Sequence, residues 1–189
     1  MRGTTHHTAP TLNDEQLVAL VIAFRDGDRG AFRALYDMFS TAVYRFCRHM
    51  IGDEAMAKDA FQETFIRMFE HRQELRGTNV RSWLFTISRR VCLTHLRSRR
   101  AAHISFDETF HAQGEHQQSD VLLKEQIERA LDQLPVALRD ALVLREYEGH
   151  SYLEIAAIVG IDLSLAKVRV YRARLMMRKL LATVAQQIR

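Results

Sequence analysis

Proline is almost absent from this 189-residue chain, with one residue at position 10 and one at 135, and glycine is scarce at eight. With so few chain breakers and only short β-branched runs, the expected fold class is all-α. There are only two cysteines, Cys47 and Cys92, far apart in segments that read as helical. That pattern predicts two reduced, buried small hydrophobes rather than a disulfide or a metal pair. No apolar run approaches the ~20 residues that span a bilayer. The N-terminus also lacks the apolar stretch of a signal peptide, so the chain is expected to be soluble and cytoplasmic. There is no phosphate-cradling glycine loop, no His-Glu-x-x-His and no Cys-x-x-Cys. No enzyme activity, catalytic residue, metal or cofactor is expected.

What the chain does have is apolar content, 47% of residues, enough to pack one domain or two small ones. It also has unevenly placed charge. The formal net charge is only +4, yet no acid occurs between Glu74 and Asp107, where seven arginines sit. None occurs after Asp162, where seven further Lys and Arg residues sit. Two acid-free basic segments in a nearly balanced chain suggest polyanion contacts at two places. Taken one at a time, each also reads as an ordinary solvated face.

The organisation follows from periodicity. Residues 1–11 are polar and expected to be disordered. Residues 12–100 read as a helical bundle. Its helices are Asp14–Arg25, one capped by Asp28 and carrying Phe32, Leu35, Tyr36 and Phe39, a separate one over Thr41–Met50 ending at Gly52, a long one started by Asp53 and running to about His71, and a last one over Val80–Arg100. Residues 101–119 are polar, lack a helical period and read as a linker. Fully extended, such a segment reaches about 65 Å. Its histidines, His103, His111 and His116, have no regular metal-ligand spacing. Residues 120–189 read as a second domain: a helix over Asp120–Gln133, one started by Pro135, then a helix-turn-helix.

The helix-turn-helix carries the most specific local signals. Ser151 and Glu154 form a capping-box pair, and Gly160 suits the positive φ that ends a helix. Asp162 or Ser164 can then cap the next helix. In such motifs the second helix enters a DNA major groove. On that helix Ala166, Val170, Ala173, Met177 and Leu181 share the inner side. Ser164, Lys167, Val168, Tyr171 and Arg172 point outward, flanked by Leu165, Arg169 and Arg174. Lys167 is suited to guanine O6 and N7, and Leu165 and Val168 to thymine methyls. On the helix from Val80, the wheel puts Trp83, Leu84, Ile87 and Val91 in the core. Arg89, Arg90, Leu93, Leu96, Arg97 and Arg100 lie opposite, a stripe that suits a phosphate backbone or stacked bases. On the helix from Asp53, Asp59, Gln62, Glu63, Ile66 and Glu70 face out, an apolar point in a polar rim.

At these residues the chain resembles the bacterial sigma-70 family of RNA polymerase factors. Asp59-Ala-Phe-Gln-Glu-Thr-Phe65 is similar to region 2.2, and Arg81-Ser-Trp-Leu-Phe-Thr-Ile-Ser-Arg89 through Arg100 to regions 2.3–2.4. Leu134-Pro-Val-Ala-Leu-Arg139, Glu154-Ile-Ala156 and Tyr171-Arg-Ala-Arg174 are similar to region 4. The short linker, without a region 3, resembles the extracytoplasmic-function (ECF) group. The resemblance implies that Asp59, Gln62, Glu63 and Ile66 dock on the β′ coiled coil of core RNA polymerase. It implies that Arg76, Asn79, Arg81, Arg89, Arg90, Arg97 and Arg100 serve the opened −10 element. Ser164, Leu165, Lys167, Val168, Arg169, Tyr171, Arg172 and Arg174 would serve the −35 duplex. It further implies contact of region 4 with the β flap and control by an anti-sigma factor. Two motifs depart from the family pattern: Arg90 and Thr94 replace its Asn-x-x-x-Asp, and Leu165-Ala-Lys-Val-Arg169 replaces Thr-Val-Lys-Ser-Arg. The competing reading is a helix-turn-helix transcriptional regulator with a helical sensor domain, which would be a dimer on palindromic sites.

Overall fold

The computed structural model describes residues 13–103 and 119–187, with side chains placed for 13–101 and 123–182. The expected disordered start lies outside these residues, as does most of the linker, including the side chains of its three histidines. Among the described residues there are eight α-helices, one short 3-10 turn and no strand. The helices are α1 (Asp14–Arg25), α2 (Arg29–Ile51), α3 (Glu54–Glu70), α4 (Val80–His103), α5 (Ser119–Asp132), α6 (Val136–Glu146), α7 (Tyr152–Val159) and α8 (Leu163–Gln187).

Side-chain caps set most of the helix starts. Asn13 and Gln16 make a reciprocal capping box at α1, while Asp28 and Asp53 accept from the third residues of α2 and α3. One boundary differs from the sequence expectation. The two helices predicted over residues 29–39 and 41–50 are one continuous 23-residue α2. Ser40-Thr41 resembles a cap, but no glycine or proline interrupts the backbone there. The buried face of Leu35, Val43, Phe46, Cys47 and Met50 holds the helix through both residues. α4 also runs to His103, past its expected end at Arg100.

α1–α4 form the first lobe, with α2 packed on α3 and α4. An aromatic cluster lies inside it: Phe32, Tyr36, Phe61, Phe65 and Phe69 meet edge-on or tilted, and Phe46 meets Phe85 at 5.4 Å. In α5–α8, α8 lies across α6 and α7 around Ala141, Leu144, Ile155, Ala166, Val170 and Ala173, all buried. The two lobes are not separate in this structure. α2 packs on α5 and α6, and α4 packs on α7, so one buried apolar cluster runs through both.

Gly52 shows how closely they meet. Its φ is +79°, and a Cβ there would stand 2.7 Å from an Asp132 carboxylate oxygen. Both the backbone and the neighbour require glycine at this C-cap.

Candidate nucleic-acid and protein interfaces

The helix-turn-helix is built as its caps prescribe. Ser151 accepts from the Glu154 amide while the Glu154 carboxylate accepts from the Ser151 amide at 2.8 Å. Gly160 ends α7 with φ 75° and ψ 45°. Of the two candidate caps for α8, Asp162 is the one used, accepting from the Leu165 amide at 2.8 Å, and the Ser164 hydroxyl donates to it. Those two bonds, the hydroxyl's first, hold the Asp162 carboxyl below its ordinary range.

The first turns of α8 stand clear of the protein. Ser164, Leu165, Lys167, Val168, Tyr171 and Arg172 are all exposed. Leu165, Val168 and Tyr171 are 37%, 40% and 60% exposed, so they do not pack back on the chain. Arg169 is half-buried. Arg174 is paired with Glu146 of α6 at 2.5 Å. Leu153 of α7, 69% exposed, adds an apolar point that the sequence reading did not single out. A lone leucine in a mostly apolar eight-residue helix gives no phase signal.

The arginines of α4 divide into two sets. Arg90, Arg97, Arg99 and Arg100 are exposed, as is Arg76 in the segment before the helix. Arg89, expected on the outer stripe, and Arg81, which the resemblance assigned to the −10 element, are turned against the second lobe instead. Arg89 Nε donates to Asp140 Oδ2 at 2.7 Å, where Asp140 is fully buried, and Arg81 donates to the Glu148 carbonyl oxygen. Wheel phase places a residue on a face but cannot say what that face meets. Asn79 is exposed, yet its side chain accepts from the Ser82 amide and so starts α4. Trp83 is half-buried, edge-on to Phe24 at 6.4 Å, and borders a cleft of about 350 Å³ shared with Arg67, His71, Glu74 and Arg90.

On α3, Asp59 and Gln62 are exposed and Ile66 is 58% exposed. Glu63 differs from them. Its carboxylate is held by Arg67 at 2.6 Å and by His95 of α4 at 2.7 Å. Burial alone would push its carboxyl up, but hydrogen bonds from His95 and Arg67 outweigh that and hold it below the usual carboxylate range. Glu63 therefore ties α3 to α4 as well as facing outward.

The contacts between lobes involve residues that sequence reasoning missed. Arg45 of α2 is bidentate to the buried Glu148 at 2.8 Å and donates to the Tyr147 carbonyl. Arg139 of α6 is buried and donates to the Met50 carbonyl at 2.9 Å and to Asp132 at 3.0 Å. His49 lies against Tyr147 at 4.0 Å, and His150 against Phe85 at 4.8 Å. Burial pushes both histidines down to about 4, aided by Arg45 and Arg48 for His49 and by Arg81 for His150. Such long-range pairs leave no mark on local periodicity. Cys47 and Cys92, read as distant, are buried and free but have their sulfurs in contact at 3.7 Å. No cluster of three or more metal-ligating side chains occurs among the described residues, and no described helix is long and apolar enough to cross a membrane.

A helix-turn-helix lobe joined to a helical lobe with a basic α4 is the architecture of a transcription-initiation specificity subunit. The family model for sigma-70 region 2 matches residues 35–102, and that for sigma-70 region 4 matches residues 124–177. The chain is 32% identical over 169 residues to the RNA polymerase sigma factor CarQ of Myxococcus xanthus, covering 87% of this chain and 97% of that protein. It is 30% identical over 178 residues to the RNA polymerase sigma-H factor of Pseudomonas aeruginosa, covering 86% and 92%. Among solved structures it is similar to the sigma factor RpoE of Bartonella quintana in complex with the anti-sigma factor NepR. The TM-score is 0.69 at 27% identity, over 80% of this chain and 96% of that one. The fold also matches CnrH, solved with the cytosolic domain of CnrY, at a TM-score of 0.69 and 24% identity over 87% and 96%. The chain belongs to the extracytoplasmic-function group of the sigma-70 family, whose members are non-enzymatic subunits for transcription initiation.

Proposed function

We propose that this sigma factor binds core RNA polymerase in the cytoplasm through α3, reads a −35 duplex with the start of α8, and captures the opened −10 strand with α4. The observation that carries this reading is the exposed face of α8. Leu165, Val168 and Tyr171 stand in solvent beside Lys167 and Arg172 at the end of a helix that a helix-turn-helix presents to a major groove. The exposed Arg76, Arg90, Arg97 and Arg100 supply phosphate contacts, and Trp83, which shares a cleft with Arg90, supplies a stacking surface for unpaired bases, with stacking worth about 1–3 kcal/mol per base. Asp59, Gln62 and Ile66 form the polymerase-facing patch on α3, with Glu63 at its edge. Region 4 also meets the β flap. We assign residues 12–100 and 120–189 as the two working domains, joined by the 101–119 linker. An anti-sigma factor holds the protein inactive by covering these faces, a reading supported by similarity to RpoE, solved in complex with the anti-sigma factor NepR.

In the packed arrangement Arg81 and Arg89 are engaged by the second lobe, so the lobes separate before both reach the −10 strand. Each lobe binds DNA weakly alone, and attachment to polymerase combines their affinities through effective concentration.

Run-off transcription with purified core polymerase tests the reading. Addition of the protein is expected to direct initiation at discrete start sites. Lys167→Ala should lower initiation about 10-fold, the worth of one good base contact, while co-elution with core polymerase persists. Asp59→Arg with Ile66→Glu should abolish co-elution and leave the helical circular-dichroism spectrum intact; this pair spares Glu63, which has a structural partner in His95. Initiation that does not respond to the protein, or equal loss of both activities in Lys167→Ala, overturns the assignment.

A further inference from the structure

The only two cysteines of the chain come from different helices and meet in the first lobe's core. Cys47 lies on the inner face of α2 between Phe46 and Met50, and Cys92 on the inner face of α4 beside Val91. Their Sγ atoms are 3.7 Å apart, and the Ser88 hydroxyl sits 3.5 Å from the Cys47 sulfur. The core has many buried positions, and only these two carry thiols. We propose that Cys47 and Cys92 form a redox-active dithiol, converted by peroxide to an intramolecular disulfide that staples α2 to α4.

The geometry gives the two sulfurs different parts. Cys92 donates its S–H toward Cys47, and Ser88 adds a second contact at the same sulfur. Hydrogen bonding from Cys92 first, then from Ser88 and Thr64, draws the Cys47 thiol below its usual range against the effect of burial. Donation to Cys47 together with burial pushes Cys92 up. Cys47 is therefore the attacking sulfur and Cys92 the resolving one.

In the first step the Cys47 thiolate attacks one peroxide oxygen. An S–O bond forms, the O–O bond breaks, and the departing hydroxide takes up a proton to leave as water. In the second step Cys92 attacks the Cys47 sulfenic acid. The S–S bond forms, the S–O bond breaks, and the hydroxyl leaves as water with the Cys92 proton. Two thiols and one hydrogen peroxide give one disulfide and two waters. A disulfide is about 2.05 Å long, so the sulfurs must approach by less than the width of one atom. Both thiols are fully buried, so a water-sized oxidant reaches them through local opening of the α2–α4 contact, and bulky thiol reagents are excluded from the closed state.

The test uses the full-length protein treated with hydrogen peroxide and read by intact mass and by thiol counting after denaturation. The expected product is a monomer that has lost two hydrogens and both free thiols, restored by dithiothreitol, with amide exchange slowed in α2 and α4. In Cys92→Ser, Cys47 should give a sulfenic acid that a dimedone probe traps. In Cys47→Ser, Cys92 should react about 10-fold more slowly or not at all. The wild-type measurement needs no variant to fold. Retention of both thiols in wild-type protein under peroxide, stable oxygen adducts without loss of two hydrogens, or disulfides only between molecules would each overturn the proposal.

Discussion

His150 shows at the scale of one residue how tertiary burial changes a side chain's chemistry. It is fully buried, and neither ring nitrogen has a hydrogen-bond partner among the described residues, although Glu154 approaches to 3.8 Å. Burial first, and then Arg81, pushes it down to about 4 from an ordinary value of 6.5. The folded protein thus holds it neutral while the unfolded chain protonates it below about 6.5. Its contribution to stability is present above that pH and is lost as pH falls from about 6.5 to about 4, on the order of 3 kcal/mol in all. Asp140, whose carboxyl burial pushes up, acts in the opposite sense, so a difference between variants isolates the histidine. His150→Phe, which keeps the ring against Phe85, should flatten the acid side of the stability curve. Urea melts of both proteins at intervals between pH 7 and pH 4 measure it, and parallel curves would rule it out.

At the scale of the element, the helix ends were the most legible part of the fold. Ser151 with Glu154, Gly160, Asp28 and Asp53 all stand where their chemistry alone would put them. Ser151→Ala should cost about 1 kcal/mol, as the loss of an N-cap does. Gly52→Ala should cost more, about 2 kcal/mol, because the left-handed backbone and the contact with Asp132 both resist a Cβ. It should also loosen the Arg139–Asp132 pair, whose carboxylate meets Gly52 across the lobe boundary. Equal thermal shifts for the two variants would mean that the contact between Gly52 and α5 carries no energy. The same local reading erred at Ser40-Thr41. Cap chemistry says where a helix can start, whereas continuous burial on one face decides whether it stops.

For the whole molecule, the arrangement of the lobes depends on a few charged residues. Asp140 and Glu148 are fully or nearly fully buried at the contact and are paired with Arg89 and Arg45 of the first lobe. One oxygen of Asp140 has no hydrogen-bond partner among the described residues. A buried pair of this kind is sensitive to loss of a partner, at roughly 3–5 kcal/mol. Asp140→Asn together with Glu148→Gln should weaken the packing of the lobes and free Arg89 and Arg45. Small-angle scattering should then show a larger radius of gyration, and the free protein should bind promoter DNA more tightly than the wild type at equal salt. An unchanged radius would show that the apolar contacts alone hold the lobes together.

The sequence by itself determined the helical class, most of the caps, the inner faces of α3, α4 and α8, and the family, because each depends on residues within a few turns of one another. The inner and outer sides of α8 could be read from spacing alone, and Ala166, Val170 and Ala173 are buried as that spacing requires. Only the tertiary structure decided what the faces meet: Arg89 against Asp140, Arg45 against Glu148, His95 against Glu63, and Cys47 against Cys92. Periodicity of 3.6 residues sets the direction of a side chain from its own helix axis. The partner at the end of that direction lies dozens of residues away along the chain, where packing of whole helices, rather than any local pattern, selects it.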